Sequence, residues 1–307
     1  MSSVLLIYPF FRRRLDRSRF RFPPLGVAYV AAGLRQGGHE VRSLDCTFLR
    51  RDEALRQAEA ARTDVVGIYC MATMLEDCLW FAGRLRGRCD LLVAGGPLPT
   101  CDPAAFTDHF DVVVRGEGEQ TMLDVLSAHA AGTGMAAVAG VVLPAAGSAS
   151  EPGTGAASEG GAAALAPPRP FVPDLDSIPF PARDLLPNQQ YILFGKRAYG
   201  HSITTVMSTR GCPFQCEFCS NVVFGNSYRE RSAKNVLDEV EEALGLGYER
   251  ISFADDVFTL NTRRVIDICH EIERHSNSSL RCSTNRIISS DWGLRVGAKE
   301  KADTEGR

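Results

Sequence analysis

Short apolar runs alternate with stretches of helical apolar spacing through the first 143 residues. Five runs have the length and composition of buried strands, at residues 4–8, 41–44, 65–69, 91–94 and 112–114, and three stretches between or after them, at 27–34, 75–85 and 120–130, have helical spacing. Repeated strand–helix alternation with short connections is typical of a doubly wound parallel sheet. Ligands of such sheets bind beyond the carboxyl ends of the strands, and Gly-rich turns follow two of the predicted strands.

A segment rich in Ala, Gly, Pro and Ser, residues 144–170, separates this region from a second one. It has no apolar period, so the sequence predicts a flexible linker there. The alternation returns after it, with strands expected at 203–207, 251–254 and 280–283 and helices at 232–244 and 265–272. We therefore expect an α/β chain with three parts: a doubly wound domain at 1–143, the linker, and a second domain at 171–307 with a polar tail from about 289.

Composition and charge exclude several classes of protein. The formal net charge of −3 over 307 residues gives no global basic field for nucleic acid. No run approaches the length of a membrane span, and the N-terminus is apolar before it is basic, which is the reverse of a secretory signal. The sequence therefore predicts a cytoplasmic protein, in which the ten cysteines would not form a disulfide framework.

Three of these cysteines are clustered just after a predicted strand. Cys212, Cys216 and Cys219 have the spacing C-x3-C-x2-C, so three thiolates can reach one compact metal centre. A local set of three leaves one coordination position open, as a catalytic metal requires. The alternatives are a zinc site, for which the sequence lacks a second cysteine pair or a partner histidine, and chance.

This cysteine segment, with Phe218 just before the last cysteine, resembles that of the radical SAM superfamily. The resemblance implies that the three cysteines hold a [4Fe–4S] cluster whose fourth iron binds S-adenosylmethionine, and that Phe218 lies near the adenine. It also implies reductive cleavage to a 5′-deoxyadenosyl radical, an electron donor such as flavodoxin or ferredoxin, and a small-molecule substrate. The resemblance identifies no catalytic residue beyond the ligands.

A second segment, residues 253–261, resembles the end of the second barrel strand in a large radical SAM subgroup. The resemblance implies that Asp255 or Asp256 contacts the amino group of S-adenosylmethionine or the substrate. The alternative is that these aspartates cap the helix that follows. For Arg229 and Arg231, contact with a carboxylate and simple surface exposure both remain open.

The first domain resembles the cobalamin-binding domain that precedes the barrel in one radical SAM subgroup. The resemblance is carried by Pro23-Pro24-Leu25-Gly26, by the turn from Gly95 to Thr100, and by the turn from Val114 to Glu119. It implies a Rossmann-like, cobalamin-binding fold in which these loops surround the corrin ring and its tail. The implied contacts are Leu25, Gly26, Gly95, Gly96, Pro97, Thr100, Gly116, Glu117 and Gly118.

Two departures from the cobalamin pattern leave an alternative open. The chain lacks the string Asp-x-His-x-x-Gly that supplies a cobalt ligand in some cobalamin proteins, and Leu98 stands where histidine is often expected. The alternative is a domain that keeps the fold without the cofactor.

The second domain supplies about three strands, whereas barrels of this family usually have six. We expect a truncated product, self-association, or completion by another chain, because a half barrel leaves an open sheet edge. The leading hypothesis is a cobalamin-dependent radical SAM enzyme, with a methyltransferase favoured over a cyclase. The alternatives are a non-catalytic corrinoid-binding module with an inert remnant barrel, and a zinc-bound structural protein. The residues do not identify the substrate.

Overall fold

The computed structural model describes residues 1–11, 21–145, 164–275 and 281–284. The strands are β1 (Ser3–Tyr8), β2 (Glu40–Asp45), β3 (Val65–Tyr69), β4 (Leu91–Gly95), β5 (Val112–Val114), β6 (Val141–Leu143), β7 (Ala164–Leu165), β8 (Ile203–Val206), β9 (Thr209–Arg210), β10 (Arg229–Glu230), β11 (Arg250–Phe253) and β12 (Arg281–Thr284). The helices are α1 (Leu25–Gln36), α2 (Arg51–Ala61), α3 (Leu75–Leu85), α4 (Pro97–Cys101), α5 (Ala104–Thr107), α6 (Gly118–Ala131), α7 (Asn188–Tyr199), α8 (Ala233–Gly245) and α9 (Thr262–His275).

The first region is a seven-stranded sheet in the order β2-β1-β3-β4-β5-β6-β7. Strands β1 to β5 are parallel, and β6 and β7 add antiparallel pairs at one edge. Successive side chains of a strand point to opposite faces. Leu5 and Ile7 therefore pack on one face with helices α2 and α3, while Val4 and Leu6 pack on the other with α1 and α6. The doubly wound prediction is confirmed.

The order of these strands reverses between β1 and β3. In an open parallel sheet the connections leave toward opposite faces at such a point, so a crevice forms beyond the carboxyl ends of the two strands. Tyr8 ends β1 and Tyr69 ends β3, and their rings lie 5.4 Å apart at this position. The fold thus places a ligand crevice next to Tyr8 and Tyr69.

The second region is a parallel three-stranded sheet in the order β12-β11-β8, with α8 and α9 packed against it. The chain runs β8, α8, β11, α9, β12, which is the alternation expected at the start of a β/α barrel. Its core contains Val206, Val240, Phe253 and Ile268, each at most 1% exposed. The predicted partial barrel is confirmed as a fold. The polar tail expected from about residue 289 lies outside the described residues.

Eight elements were not predicted, namely α2, α4, α5, α7, β6, β7, β9 and β10, and two of them show the reason. Helix α2 was not predicted because only Ala54 and Ala58 of it are buried, which leaves no apolar period to detect. Strand β7 lies within the segment expected to be a linker, most of which is outside the described residues. It is held by backbone hydrogen bonds from Ala166 to Val141 (3.1 Å) and from Gly140 to Pro167 (2.8 Å), which no side-chain pattern reports. The predicted domain boundaries at 143 and 171 remain predictions.

Candidate functional site

Two Gly-rich turns lie side by side after β4 and β5. Gly96 has φ +110°, and a Cβ there would lie 2.8 Å from the carbonyl oxygen of Cys70 and 3.0 Å from the ring of Tyr69. Only glycine fits, because both the backbone angle and the space exclude a side chain. The hydroxyl of Thr100 donates to the Gly96 carbonyl (2.8 Å) and accepts from the N–H of Gly116 (3.0 Å). Thr100 therefore ties the two turns together.

A cavity of about 250 Å³ lies between these turns, the crevice of the sheet and the start of the second region. Its walls are largely apolar, with Tyr29, Val114 and Met122 from the first region and Val223 and Phe224 from the second. Such a lining, with few polar groups, is typical of a site for a bulky organic ligand.

A second cavity of about 880 Å³ adjoins the first, because Gly26, Tyr69 and Met207 line both. It extends from the aromatic segment after β1 to Thr205 near the end of β8 and Ala254 just after β11. The carboxyl ends of the barrel strands and of the first sheet thus face a common space.

The sequence-predicted corrinoid contacts are distributed around these two cavities. Leu25, Gly26, Gly95, Gly96, Pro97, Gly116, Glu117 and Gly118 line one or both. Thr100 does not line either cavity, and its contribution is to join the two turns by hydrogen bonds to Gly96 and Gly116. Among the described residues that line the two cavities there is no histidine. The glycine cradle, which a Cβ would fill, fits a large flat group.

Thr47, which lines the larger cavity, belongs to a buried polar cluster beside it. Asp45, at the end of β2, accepts hydrogen bonds from the N–H of Thr47 (2.9 Å) and from the hydroxyl of Tyr191 (2.6 Å). Burial raises the pKa of Asp45 above its ordinary value, and these hydrogen bonds partly oppose the shift. Burial likewise raises the pKa of Tyr69 to about 12, so its hydroxyl remains a neutral donor.

The three motif cysteines lie in the loop between β9 and β10, residues 211–228, which we call the cysteine loop. Cys212 is buried, whereas Cys216 and Cys219 are exposed, and all three are free thiols. The amide of Asn221 donates to the carbonyls of Cys212 (3.3 Å) and Phe214 (3.2 Å). Asn221 therefore shapes the loop, a role that the cysteine spacing did not reveal.

The sulfur atoms of the cysteine loop are not gathered into one ligand set. Across the described ranges no group of three or more His, Cys, Asp or Glu side chains is arranged to hold a metal ion. The N–H of Cys219 donates to the carbonyl of Cys216 at 3.0 Å, so these two share one turn of backbone. Three free thiols within eight residues nevertheless suit the thiolate chemistry of an iron–sulfur cluster. Phe218 is 85% exposed on the same loop.

The two aspartates predicted to contact S-adenosylmethionine occupy different environments. Asp255 is buried and accepts from the N–H of Ser208 (2.6 Å) and the N–H of Thr209 (2.9 Å), so it fixes the connection between β8 and β9. Burial raises the pKa of Asp255 above its ordinary value. Asp256 is half-buried. The helix-cap alternative is wrong, since Asn261 accepts the N–H of Arg264 in the first turn of α9 (3.2 Å).

Buried ion pairs overturn surface exposure for Arg229 and Arg231, one of them between the two regions and one within the second. Arg229 donates to Glu117 at 2.8 Å, and Arg231 pairs with the fully buried Glu239 of α8. Glu239 also accepts from the hydroxyl of Tyr29 in α1 at 3.3 Å. Both arginines therefore contact carboxylates of the protein itself.

The Glu239 cluster was not predicted, because a single Glu on a helix resembles a surface charge. Arg183, which is also fully buried, completes it with a 2.5 Å hydrogen bond to Glu239. Only the three-dimensional packing brings Arg183, Arg231, Tyr29 and Glu239 to one point.

Comparison with known protein families agrees with this geometry. Residues 14–126 match the B12 binding domain family, and residues 206–303 match the radical SAM superfamily. The first range contains the glycine turns and the second contains the cysteine loop.

Individual relatives match nearly the whole chain. An uncharacterized methyltransferase of Pyrococcus horikoshii is 32% identical over 287 residues, which cover 91% of this chain and 58% of that protein. The anaerobic magnesium-protoporphyrin IX monomethyl ester cyclase of Rubrivivax gelatinosus is 28% identical, over 88% of this chain and 48% of that one. The chain thus spans about half the length of these relatives.

The solved structure of the radical S-adenosylmethionine methyltransferase TsrM from Kitasatospora setae, with cobalamin and a [4Fe–4S] cluster bound, has the same fold. The TM-score is 0.66 at 20% identity, and the match covers 89% of this chain and 51% of that one. Every helix in the described ranges is too short or too polar to cross a membrane.

Proposed function

We propose, from the premise that this chain belongs to the radical SAM superfamily and carries an N-terminal B12-binding domain, that it acts as a cobalamin-dependent radical SAM methyltransferase. The observation that carries this proposal is the meeting of the two candidate cofactor sites. Arg210, two residues before Cys212, lines the same cavity as the glycine turns.

Each group has residues in this chain that would hold it. Cys212, Cys216 and Cys219 would supply thiolates to the cluster, and the turns at Gly96 and Gly116 would allow a corrinoid close to the backbone. When bound, the cluster supplies the electron that cleaves S-adenosylmethionine and the corrinoid supplies a carrier for a methyl group.

The protein's own contribution is positioning and exclusion of water. Tyr29, Val114 and Met122 form an apolar wall that offers water few hydrogen-bond partners inside the cavity. Asp255 fixes the backbone of Ser208 and Thr209, and so holds the strand that leads into the cysteine loop. We propose that Asp256, the half-buried member of the pair, is the carboxylate that reaches S-adenosylmethionine.

Methyl transfer is favoured over cyclisation because the methyltransferase of Pyrococcus horikoshii shares more identity with this chain than the cyclase does. The substrate is a small molecule that enters the larger cavity, whose aromatic wall includes Phe10, Phe11 and Phe22. A one-electron donor such as flavodoxin or ferredoxin supplies the reducing equivalent.

The test is anaerobic reconstitution of the full chain with iron, sulfide, cobalamin and S-adenosylmethionine, followed by reduction. We expect an iron–sulfur absorbance band, retention of cobalamin through gel filtration, and release of 5′-deoxyadenosine. Methyl transfer additionally converts S-adenosylmethionine to S-adenosylhomocysteine, which cyclisation does not require. Cobalamin retention with no iron–sulfur band and no 5′-deoxyadenosine would instead identify a corrinoid-binding module without catalysis.

A further inference from the structure

The base of the cysteine loop carries two facing positive charges. Strands β9 and β10 contribute only two residue pairs, and one of them places Arg210 directly opposite Arg229. Like charges opposite each other on paired strands repel, and so short a ladder offers little to offset the repulsion. Something else must hold the two ends of the loop together.

Glu117 supplies the missing charge. One oxygen of its carboxylate, Oε1, accepts from Nη1 of Arg210 at 3.0 Å and from Nη1 of Arg229 at 2.8 Å. Its other oxygen accepts the N–H of Val172 at 3.0 Å. The side chains of Glu117, Arg210 and Arg229 are only 4%, 5% and 10% exposed, so water does not screen these contacts. A single carboxylate therefore bonds both ends of the loop.

The second guanidinium nitrogen of Arg210 pairs with Glu119 at 2.6 Å, which balances two positive charges with two negative ones. The ring of Phe224, within the cysteine loop, and the ring of Tyr29, in α1, lie 5.2 and 5.1 Å from the Arg210 guanidinium carbon. Arg210 is thus held from both regions.

Glu117 belongs to the first region, in the glycine turn that follows β5. That turn lines the cavity, and on sequence grounds Glu117 was a corrinoid contact. In the structure both of its oxygens already accept hydrogen bonds from the far side of the interface, at Arg210, Arg229 and Val172. The carboxylate thus bonds the base of the cysteine loop from a turn that also lines the cavity.

We propose that Glu117 is a positioning residue that closes the base of the cysteine loop and holds it against the corrinoid cavity. The closure itself follows from the hydrogen bonds and charges, whereas its effect on a cluster rests on the proposed function. A ligand that orders the glycine turn also orders Glu117, so corrinoid binding should tighten the cysteine loop.

The first test measures hydrogen exchange of residues 211–228 in the metal-free full chain. Glu117→Gln should increase exchange there by about tenfold, the factor that corresponds to 1.4 kcal/mol of local opening. Glu241→Gln, an exposed position on α8, is the matched control and should leave loop exchange unchanged.

Charge balance distinguishes closure from general loosening. The double variant Glu117→Gln/Arg229→Gln removes the repulsion together with the carboxylate, so its loop should exchange more slowly than that of Glu117→Gln alone. Equal exchange in wild type and Glu117→Gln would overturn the proposal. The proposal would also be overturned if the effects of Glu117→Gln and Arg229→Gln on loop exchange, each measured alone, were additive in the double variant.

The second test measures cluster retention in reconstituted protein. Glu117→Gln should lose iron to a chelator about tenfold faster than wild type and broaden the electron paramagnetic resonance signal of the reduced cluster. Glu117→Asp, which keeps the charge, should restore part of the retention. A wild-type chain that assembles no cluster would defeat the proposed function, while the exchange experiment would still decide the closure. A cluster that Glu117→Gln retains at the wild-type rate would overturn the inference alone.

Discussion

The two candidate cofactor sites differ in how much of each is built by packing. At the glycine turns the backbone is fixed: Gly96 has no room for a side chain, and Thr100 joins the two turns. In the cysteine loop Cys216 and Cys219 are exposed, and their sulfurs form no ligand set with Cys212. Shape thus defines the first site, whereas the type of donor atom defines the second.

This contrast suggests different origins of specificity. A preformed apolar cavity selects a ligand by its shape, and the free-energy cost of reorganising the protein on binding is small. Recognition there depends on many weak contacts. A loop of thiolates selects by bond chemistry, and metal binding supplies the energy that orders it. The buried ion pairs of Glu117 with Arg210 and Arg229 hold the cysteine loop next to the cavity at the glycine turns.

The largest expected effect comes from breaking the Glu239 cluster, which meets the first region at Tyr29. Glu239 is fully buried and bonded to Arg183, Arg231 and Tyr29, so Glu239→Gln leaves two buried guanidinium groups short of a counter-charge. We expect the free energy of unfolding to fall by about 3 kcal/mol or more, measured by urea denaturation. Glu241→Gln, on the same helix but exposed, should change it by less than about 0.5 kcal/mol. Similar losses of unfolding free energy in Glu239→Gln and Glu241→Gln would mean that the buried Glu239 cluster contributes no more to stability than an exposed glutamate.

The next effect tests the preformed cavity. Gly96→Ala places a methyl group against the Cys70 carbonyl in a backbone region that only glycine adopts easily. We expect a loss of about 2–3 kcal/mol in unfolding free energy and loss of cobalamin retention. Gly83→Ala is the control, since it lies in α3 with open space at its Cβ and should be neutral or slightly stabilising. Normal cobalamin binding by Gly96→Ala would show that the turn does not form the site.

Sequence reasoning located the glycine turns and the cysteines because each carries a local signal. A glycine after a buried strand indicates a close backbone approach, and three cysteines in eight residues indicate a metal. The turns and the cysteines each follow a predicted strand, so each was expected at the carboxyl end of a strand. Most of the doubly wound fold follows from alternation alone.

The ion pairs between the two regions could not be predicted because their partners are far apart along the chain. Glu117 meets Arg210 and Arg229 across 93 and 112 residues, and nothing local marks any of them as buried. Asp255 was placed correctly at a strand end, but its hydrogen bonds to Ser208 and Thr209 depend on how β8 and β11 pair. Pairwise contacts between distant charges are a property of the fold.

A smaller effect concerns pH and Asp45, in the buried polar cluster beside the larger cavity. Burial raises the pKa of Asp45 above its unfolded value of about 3.9, so the unfolded chain ionises first as pH increases. Its contribution to stability is complete below that value and is lost as pH rises through the folded pKa. The unfolding free energy of wild type minus that of Asp45→Asn should therefore fall as pH rises above about 4, the unfolded value, and level off above the raised folded pKa.

The comparison of wild type with Tyr191→Phe should show the opposite dependence on pH. The Tyr191 hydroxyl donates to Asp45 and holds its pKa down, so removing the hydroxyl should raise that pKa further. The advantage of wild type over Tyr191→Phe should then grow as pH rises through the same range. Parallel pH profiles for wild type and both variants would show that Asp45 ionises equally in the folded and unfolded chains.

The smallest expected effect on stability is at the cysteine loop, and it completes the contrast. Cys216→Ser alters an exposed thiol, so the unfolding free energy of the metal-free chain should change by less than about 0.5 kcal/mol. The same variant should fail to assemble the iron–sulfur band on reconstitution, because an alcohol is a poor ligand for iron in such clusters. Cys101→Ser, another exposed cysteine, should leave both quantities at wild-type values. A large loss of stability in metal-free Cys216→Ser would mean that the loop is packed like the cavity, and the distinction between the two sites would then disappear.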